Sequence, residues 1–203
     1  MSGVTFDQVR DVDVVVVGSG ITGLAFALRT ARHLSVVVIT KKAEADSNTN
    51  YAQGGIAAVL GPDDDPALHV QDTLEAGDGL CHRDVVEAVV REGPDRIREL
   101  MEWGVRFSRS DGSLSLGREA GHSRRRILHA ADLTGREIER ALLAAVPGSP
   151  RIRVLEDHFL WALHTAPDGR TSRTRCTGAR VLDVEEPGWL DVSARAVLLA
   201  TGG

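Results

Sequence analysis

Val12-Asp13-Val14-Val15-Val16-Val17-Gly18-Ser19-Gly20-Ile21-Thr22-Gly23 is the stretch that decides the fold. The valine run reads as a buried strand, and Gly18, Gly20 and Gly23 form G-x-G-x-x-G directly behind it. A helical pattern of small and aliphatic residues follows (Leu24, Ala25, Ala27, Leu28, Ala31), then a second apolar run, Val36 to Ile39. Strand, glycine turn, helix and strand in that span open a dinucleotide-binding βαβ unit. Each glycine has a mechanical task. Gly18 permits the tight turn, Gly20 lets a pyrophosphate approach the backbone, and Gly23 lets the helix sit close to the sheet. Ser19, Ile21 and Thr22 complete the turn, and N–H groups at the helix start are free to hold an anionic diphosphate. The competing explanation of the string is a purely structural tight turn.

Outward from this unit, composition narrows the function class. The 203 residues carry a formal net charge of −5, which argues against a general nucleic-acid binder. Arg124-Arg125-Arg126 is the one basic cluster, and a run of three reads as a solvated face or as partners for local carboxylates. Cys81 and Cys176 lack any C-x-x-C spacing and read as thiols in a reducing compartment. No apolar run approaches the ~20 residues of a membrane span, and no signal peptide opens the chain, so the expected location is cytoplasmic with no membrane partner. No His/Cys cluster has metal-ligand spacing.

In many dinucleotide sites an acidic residue ends the second strand and binds the ribose. Here Thr40-Lys41-Lys42 stands there, which departs from a nicotinamide pattern. Lys41 is either an exposed loop cation or a phosphate or ribose contact. Gln53-Gly54-Gly55, behind the polar segment Asn48-Thr49-Asn50-Tyr51 and Ala52, brings backbone N–H groups toward something flat or anionic, or makes an ordinary turn before a strand.

Helical spacing then resumes in Leu68, Val70 and Leu74. A further helix carries Val85 to Val90, Gly93-Pro94 breaks it, and Pro94 opens a third helix with Ile97, Leu100 and Met101. Phe107 to Ala131 shows little regular pattern. Thr134-Gly135-Arg136-Glu137 fits a capping box. Strands are expected at Ile152–Glu156, Phe159–His164, Gly178–Glu185 and Trp189–Val192, with a buried strand at Ala196–Ala200 ahead of Gly202-Gly203. The fold class is α/β: a Rossmann-like start, a helical insertion and a β-meander, truncated at the C-terminus, because a domain rarely ends on a buried strand and two glycines.

The strings GSGITG, NTNYAQGGIAAV, REAGHSRRRILHAADLTGREIE and VLLATGG together resemble the succinate dehydrogenase/fumarate reductase flavoprotein superfamily. Within it the chain is most similar to the bacterial L-aspartate oxidase branch, whose reaction opens de novo NAD synthesis. That resemblance implies FAD, not NAD. It implies residues 1–203 as the N-terminal part of the FAD-binding domain, with the family's capping (substrate) and C-terminal helical domains outside them.

Carried over by position, Gly18, Ser19, Gly20, Ile21, Thr22 and Gly23 meet the diphosphate, and Lys41 lies near the adenosine. Asn48, Thr49, Asn50, Tyr51, Ala52, Gln53, Gly54 and Gly55 run along the flavin, and the backbone around Phe159 contacts adenine. Membrane-complex relatives have a histidine, bonded covalently to flavin, where Asn48 stands, so FAD is expected to be non-covalent. Glu119 matches the position facing the substrate's α-amino group, although Ala120 departs from the family's usual glycine. From its residues alone, Glu119 also reads as a surface carboxylate paired with Arg118. His122 and His129 read as catalytic groups or, in preference, as buried, hydrogen-bonded structural histidines, and Arg124 to Arg126 as a dicarboxylate grip or, in preference, as structural ion pairs.

The implied reaction takes a hydride from Cα of L-aspartate to FAD, giving iminoaspartate, with oxygen or fumarate as acceptor. Other C4 dicarboxylates are implied as ligands. The family's remaining catalytic arginines and histidines lie outside the 203 residues, which taken alone are expected to be inactive. The alternatives are a soluble fumarate reductase or succinate dehydrogenase-type flavoprotein, and a non-catalytic FAD-binding module.

Overall fold

The computed structural model describes residues 9–41, 49, 52–130, 133–169, 171 and 173–202. In chain order the elements are β1 (Val9–Val17), α1 (Ile21–Thr30), β2 (Val36–Ile39), β3 (Ile56–Ala57), α2 (Pro66–Ala76) and α3 (Arg83–Glu102). They continue with β4 (Arg109–Ser110), β5 (Ser113–Leu114), β6 (Leu116–Gly117), β7 (Ile127–Leu128), α4 (Thr134–Ala145), β8 (Ile152–Leu155), β9 (His158–Pro167), β10 (Thr174–Asp183) and β11 (Gly188–Leu199). By internal contacts they form two units, residues 1–49 with 142–203 and residues 50–141. The boundary falls within α4.

The first unit is the expected α/β body. Its six strands run β8-β2-β1-β11-β10-β9, the first four mutually parallel and the last three an antiparallel meander. The valines of β1 alternate between two apolar clusters, as a period of two requires. Val14 and Val16 join Ala27 of α1 and Ala31 just beyond it, whereas Val15 and Val17 face Val37, Ile39, Ala179, Val181 and Val192. Because both faces of β1 and β2 are covered, a polar residue there would be buried without a partner. Asp13 shows how the start of β1 meets this constraint: its carboxylate accepts from Ser35 N and Oγ, both at 2.9 Å.

Two strand expectations change. Trp189–Val192 and Ala196–Ala200 are one strand, β11, because Ser193 to Arg195 continue the pairing with β1 and β10 across a sequence too polar to read as strand. Its end is not buried. Leu199 is 55% exposed.

The second unit packs α2 against α3 beside two small antiparallel sheets, β3-β7-β6 and β4-β5. The break expected at Gly93-Pro94 is absent, and α3 continues through Pro94. Val90 and Ile97, two turns apart, and Leu100 all bury on one stripe. That shared stripe holds the two halves in line and offsets the one backbone bond that proline removes. The expected capping box is also put to other use. Thr134 Oγ1 accepts from Ala130 N, and Glu137 accepts from Arg106 N and pairs with Arg140.

Candidate functional site

In the first unit, the glycine turn behaves mechanically as its spacing requires. Gly18 has φ +110°, and a Cβ there would lie 2.2 Å from Ala200 O. A Cβ on Gly23 would lie 2.0 Å from Gly18 O and 3.2 Å from Val16 Cγ1, so this glycine lets α1 descend onto β1. Gly20 differs from both. Its backbone is extended (φ −69°, ψ 177°), and among the described residues a Cβ would meet only Thr49 Oγ1, at 3.4 Å. Neither backbone conformation nor protein packing demands glycine at this position.

Gly20 is also the N-cap of α1, where it supplies no side-chain acceptor, and the first turn contains no acidic residue. By contrast, α2 is capped by Asp65, whose carboxylate accepts from Ala67 N at 2.7 Å. At α1, Thr49 Oγ1 accepts from Ile21 N at 3.1 Å. The helix start therefore keeps positive character with room for an anion. The exposed side chain of Thr22 stands in its first turn. Ser19 is turned inward: it is 3% exposed and its Oγ donates to Thr40 Oγ1 at 3.0 Å.

Lys41 is exposed and follows the buried Thr40 at the end of β2. Thr40 O accepts from His158 N at 3.0 Å, which sets the Phe159 backbone close to that strand end, while the Phe159 side chain is 45% exposed. Asn48, Asn50 and Tyr51 lie outside the described residues.

In the second unit, Ala52, Gln53 and Gly54 are exposed, and Ala52 O accepts from Gly135 N at 3.0 Å. Among the described residues a Cβ on Gly54 would meet nothing within 4 Å. Gly55 is required by the protein itself, since its Cβ would lie 2.3 Å from Ile127 Cγ2, 2.6 Å from Leu128 O and 2.8 Å from His129 Cε1. The Glu119 carboxylate is 52% exposed, and its Oε1 stands 3.2 Å from His129 Nε2. No contact with Arg118 is among those described; the partner is His129. The contact joins residues across a stretch with no periodic pattern, so neither spacing nor hydropathy could have found it.

Arg126 supports this region from beneath. It is fully buried, with Nε and Nη2 on the two oxygens of Asp64 at 2.8 and 2.7 Å, and Nη1 on Asp72 Oδ2 at 2.7 Å. The same Asp72 oxygen accepts from Ser123 N and Oγ, each at 2.8 Å. Burial opposes the charged forms here, but the bonds prevail. The Arg126 guanidinium is raised above its ordinary value and the Asp72 carboxyl lowered below its own. The ion-pairing role expected for the arginine run thus falls to Arg126, while Arg124 and Arg125 are exposed. His69 is nearly buried, with Nδ1 unpartnered among the described residues. Burial, then Arg126 and His122, pushes its imidazole below the ordinary value.

A sheet with parallel central strands and a glycine turn feeding a helix start without an acidic cap defines a dinucleotide-binding α/β protein. More narrowly, the chain belongs to the FAD binding domain family, whose pattern it matches over residues 13–203. It is 50% identical to L-aspartate oxidase 2-b, chloroplastic, of Nicotiana tabacum over 96% of its length and 30% of that protein's. It is 48% identical to the L-aspartate oxidase of Streptomyces coelicolor over 94% of its length and 33% of that protein's. Among solved structures, E. coli quinol fumarate reductase FrdA superposes with TM-score 0.88 at 32% identity, covering 98% of this chain and 33% of FrdA. The chain thus spans about a third of the length of these relatives.

FAD is the cofactor of the domain. The residues present fit it: Gly20 and Gly54 leave open space that the protein's own packing does not require. Among the described residues no helix is long and apolar enough to cross a membrane.

Proposed function

We propose that the complete protein oxidises L-aspartate to iminoaspartate, with oxygen or fumarate as acceptor, the reaction that opens NAD synthesis. The observation that carries this reading is the half-exposed Glu119 carboxylate held by His129. A carboxylate in that state prefers an ammonium-bearing dicarboxylate to one without an ammonium, such as succinate. The name shared by relatives that are close to half identical over nearly the whole chain supports it.

In this reading the Gly18 to Gly23 turn meets the FAD diphosphate through Ser19 to Thr22, while the Gly18 amide stays bonded to Ile39 O. Lys41 and the Phe159 backbone take the adenosine side. Residues Asn48 to Gly55 take the flavin ring, where Gly54 presents backbone without a side chain in the way. Asn48 has no ring nitrogen able to form a covalent bond to flavin, so FAD is held non-covalently. When bound, FAD supplies the two-electron acceptor for a hydride leaving the substrate Cα. Glu119 pairs with the α-ammonium and so fixes which face of Cα is presented.

Oxygen uptake by the complete protein tests this. L-Aspartate should support turnover and succinate should not. Faster turnover with succinate would instead favour a fumarate reductase or succinate dehydrogenase-type flavoprotein, the reading that the likeness to FrdA supports.

A further inference from the structure

The Glu119 contact has a second half that the sequence reading treated as structural. His129 follows β7, whose two residues pair with β3 on one side and β6 on the other. A glycine lies against the imidazole on each side, Gly55 just ahead of β3 and Gly117 in β6. A Cβ on Gly55 would lie 2.8 Å from His129 Cε1, and one on Gly117 would lie 3.4 Å from His129 Nε2. Neither glycine has the positive φ that would call for glycine on backbone grounds. Gly55 also admits Ile127 and Leu128, but at Gly117 the imidazole nitrogen is the nearest atom a side chain would meet. Gly55 and Gly117 thus leave room for the ring, and its Nε2 lies 3.2 Å from Glu119 Oε1. Both side chains remain partly open, His129 at 35% and Glu119 at 52%.

We propose that His129 is a positioning residue that makes Glu119 selective for the substrate's amino group. This inference rests on the L-aspartate reading above. With Nε2 protonated, the imidazole donates to Oε1, which turns a flexible exposed carboxylate into one of fixed direction and leaves Oε2 for a ligand ammonium. A carboxylate already held loses less rotamer freedom on binding, so the gain falls on ligands that carry the ammonium. A dicarboxylate without an amino group makes no bond to Oε2 and is indifferent to the arrangement.

The test is calorimetric binding to the complete, FAD-loaded protein, with no turnover involved. One probe is α-methyl-L-aspartate, which keeps the ammonium and both carboxylates but has no Cα hydrogen to lose. The other is succinate. His129→Phe, which keeps a ring in the slot but removes the donor, should weaken α-methylaspartate by about 10-fold or more, the loss of one charge-assisted hydrogen bond. Succinate affinity should move less than about twofold. His129→Gln, which restores an N–H donor, should recover most of the loss, and in a Glu119→Gln background His129→Phe should have no further effect. Equal weakening of both ligands, or an undiminished effect in the Glu119→Gln background, overturns the proposal while leaving the L-aspartate reading intact. A wild-type protein that binds both probes equally well overturns that reading, and this inference with it.

Discussion

Replacing Arg126 by methionine should be among the most damaging single changes in the second unit. The guanidinium and the Asp64 carboxylate are both fully buried, and Asp72 is 12% exposed. One positive charge sits between two negative ones. Removing it leaves two carboxylates facing each other in a space closed to water, with three charge-assisted bonds lost. Breaking a buried pair from one side costs about 3–5 kcal/mol, chiefly through the charge left behind. Two stranded carboxylates place Arg126→Met at the upper end of that range. Arg126→Lys keeps the charge but cannot span both carboxylates as a planar fork, so about half the loss should remain. Adding Asp64→Asn to Arg126→Met should recover part of the stability, because the cost lies in the uncompensated charge and not in lost packing. Equilibrium urea unfolding followed by far-ultraviolet circular dichroism measures all three, read as midpoint shifts at constant slope. Arg124→Met and Arg125→Met, on exposed side chains, serve as controls and should stay within about 0.5 kcal/mol of wild type. A loss below about 1 kcal/mol for Arg126→Met would show that water reaches the cluster and refute the reasoning.

Further expectations follow from the glycines and the titrating groups. Gly20→Ser should leave the fold intact and even add a few tenths of a kcal/mol as a better N-cap, yet weaken FAD binding at least tenfold; unchanged flavin retention would remove Gly20 from the site. Gly18→Ala should cost about 1–3 kcal/mol or more from its φ of +110° and the contact with Ala200 O, measured in the same unfolding assay. His69 is lowered by burial, so the unfolded chain takes up its proton first: stability should fall as pH drops below about 6.5, and His69→Phe should flatten that limb. Asp191, held down to about 2 by the Arg180 guanidinium and then His164, contributes stability that is full above about pH 4. That contribution is lost as pH falls toward 2, and Asp191→Asn should abolish it. Acid precipitation of the holoprotein should release all of its flavin, and flavin retained in the pellet would show a covalent link.

How much of this was legible in the sequence depends on whether the controlling contact is local. The βαβ opening was readable because valine alternation and glycine spacing act within one unit, and β1, α1 and β2 form there. The continuous α3 was not, because the tie across Pro94 is a buried stripe set by packing that a proline rule does not see. Nor was β11, whose polar centre is held in the sheet by partners on both sides. At the candidate site, Glu119 was reachable only through resemblance. Its contact with His129 depends on the approach of short strands whose sequences carry no strand signal of their own.

The glycines show why local strings can nonetheless carry so much. Gly18, Gly23 and Gly55 each have a heavy atom within 2.3 Å of where a Cβ would stand, so the fold itself requires them. Among the described residues Gly20 and Gly54 have nothing nearer than 3.4 Å, and neither has a positive φ, so packing there leaves room for a small side chain at both. Gly148 and Gly169 are equally open, so open space alone marks no site; at Gly20 and Gly54 it gains meaning from the FAD-binding turn and the Gln53-Gly54-Gly55 segment in which they stand. In the proposed site Gly20 stands at a helix start and Gly54 beside a strand, each where bare backbone would face the nucleotide. The turn's first and third glycines serve the chain's own packing, and its second is proposed to serve the cofactor. Substitutions at Gly18 and Gly20 should accordingly separate: the first lowers stability whether or not FAD is bound, and the second lowers FAD affinity while the apoprotein melts as before.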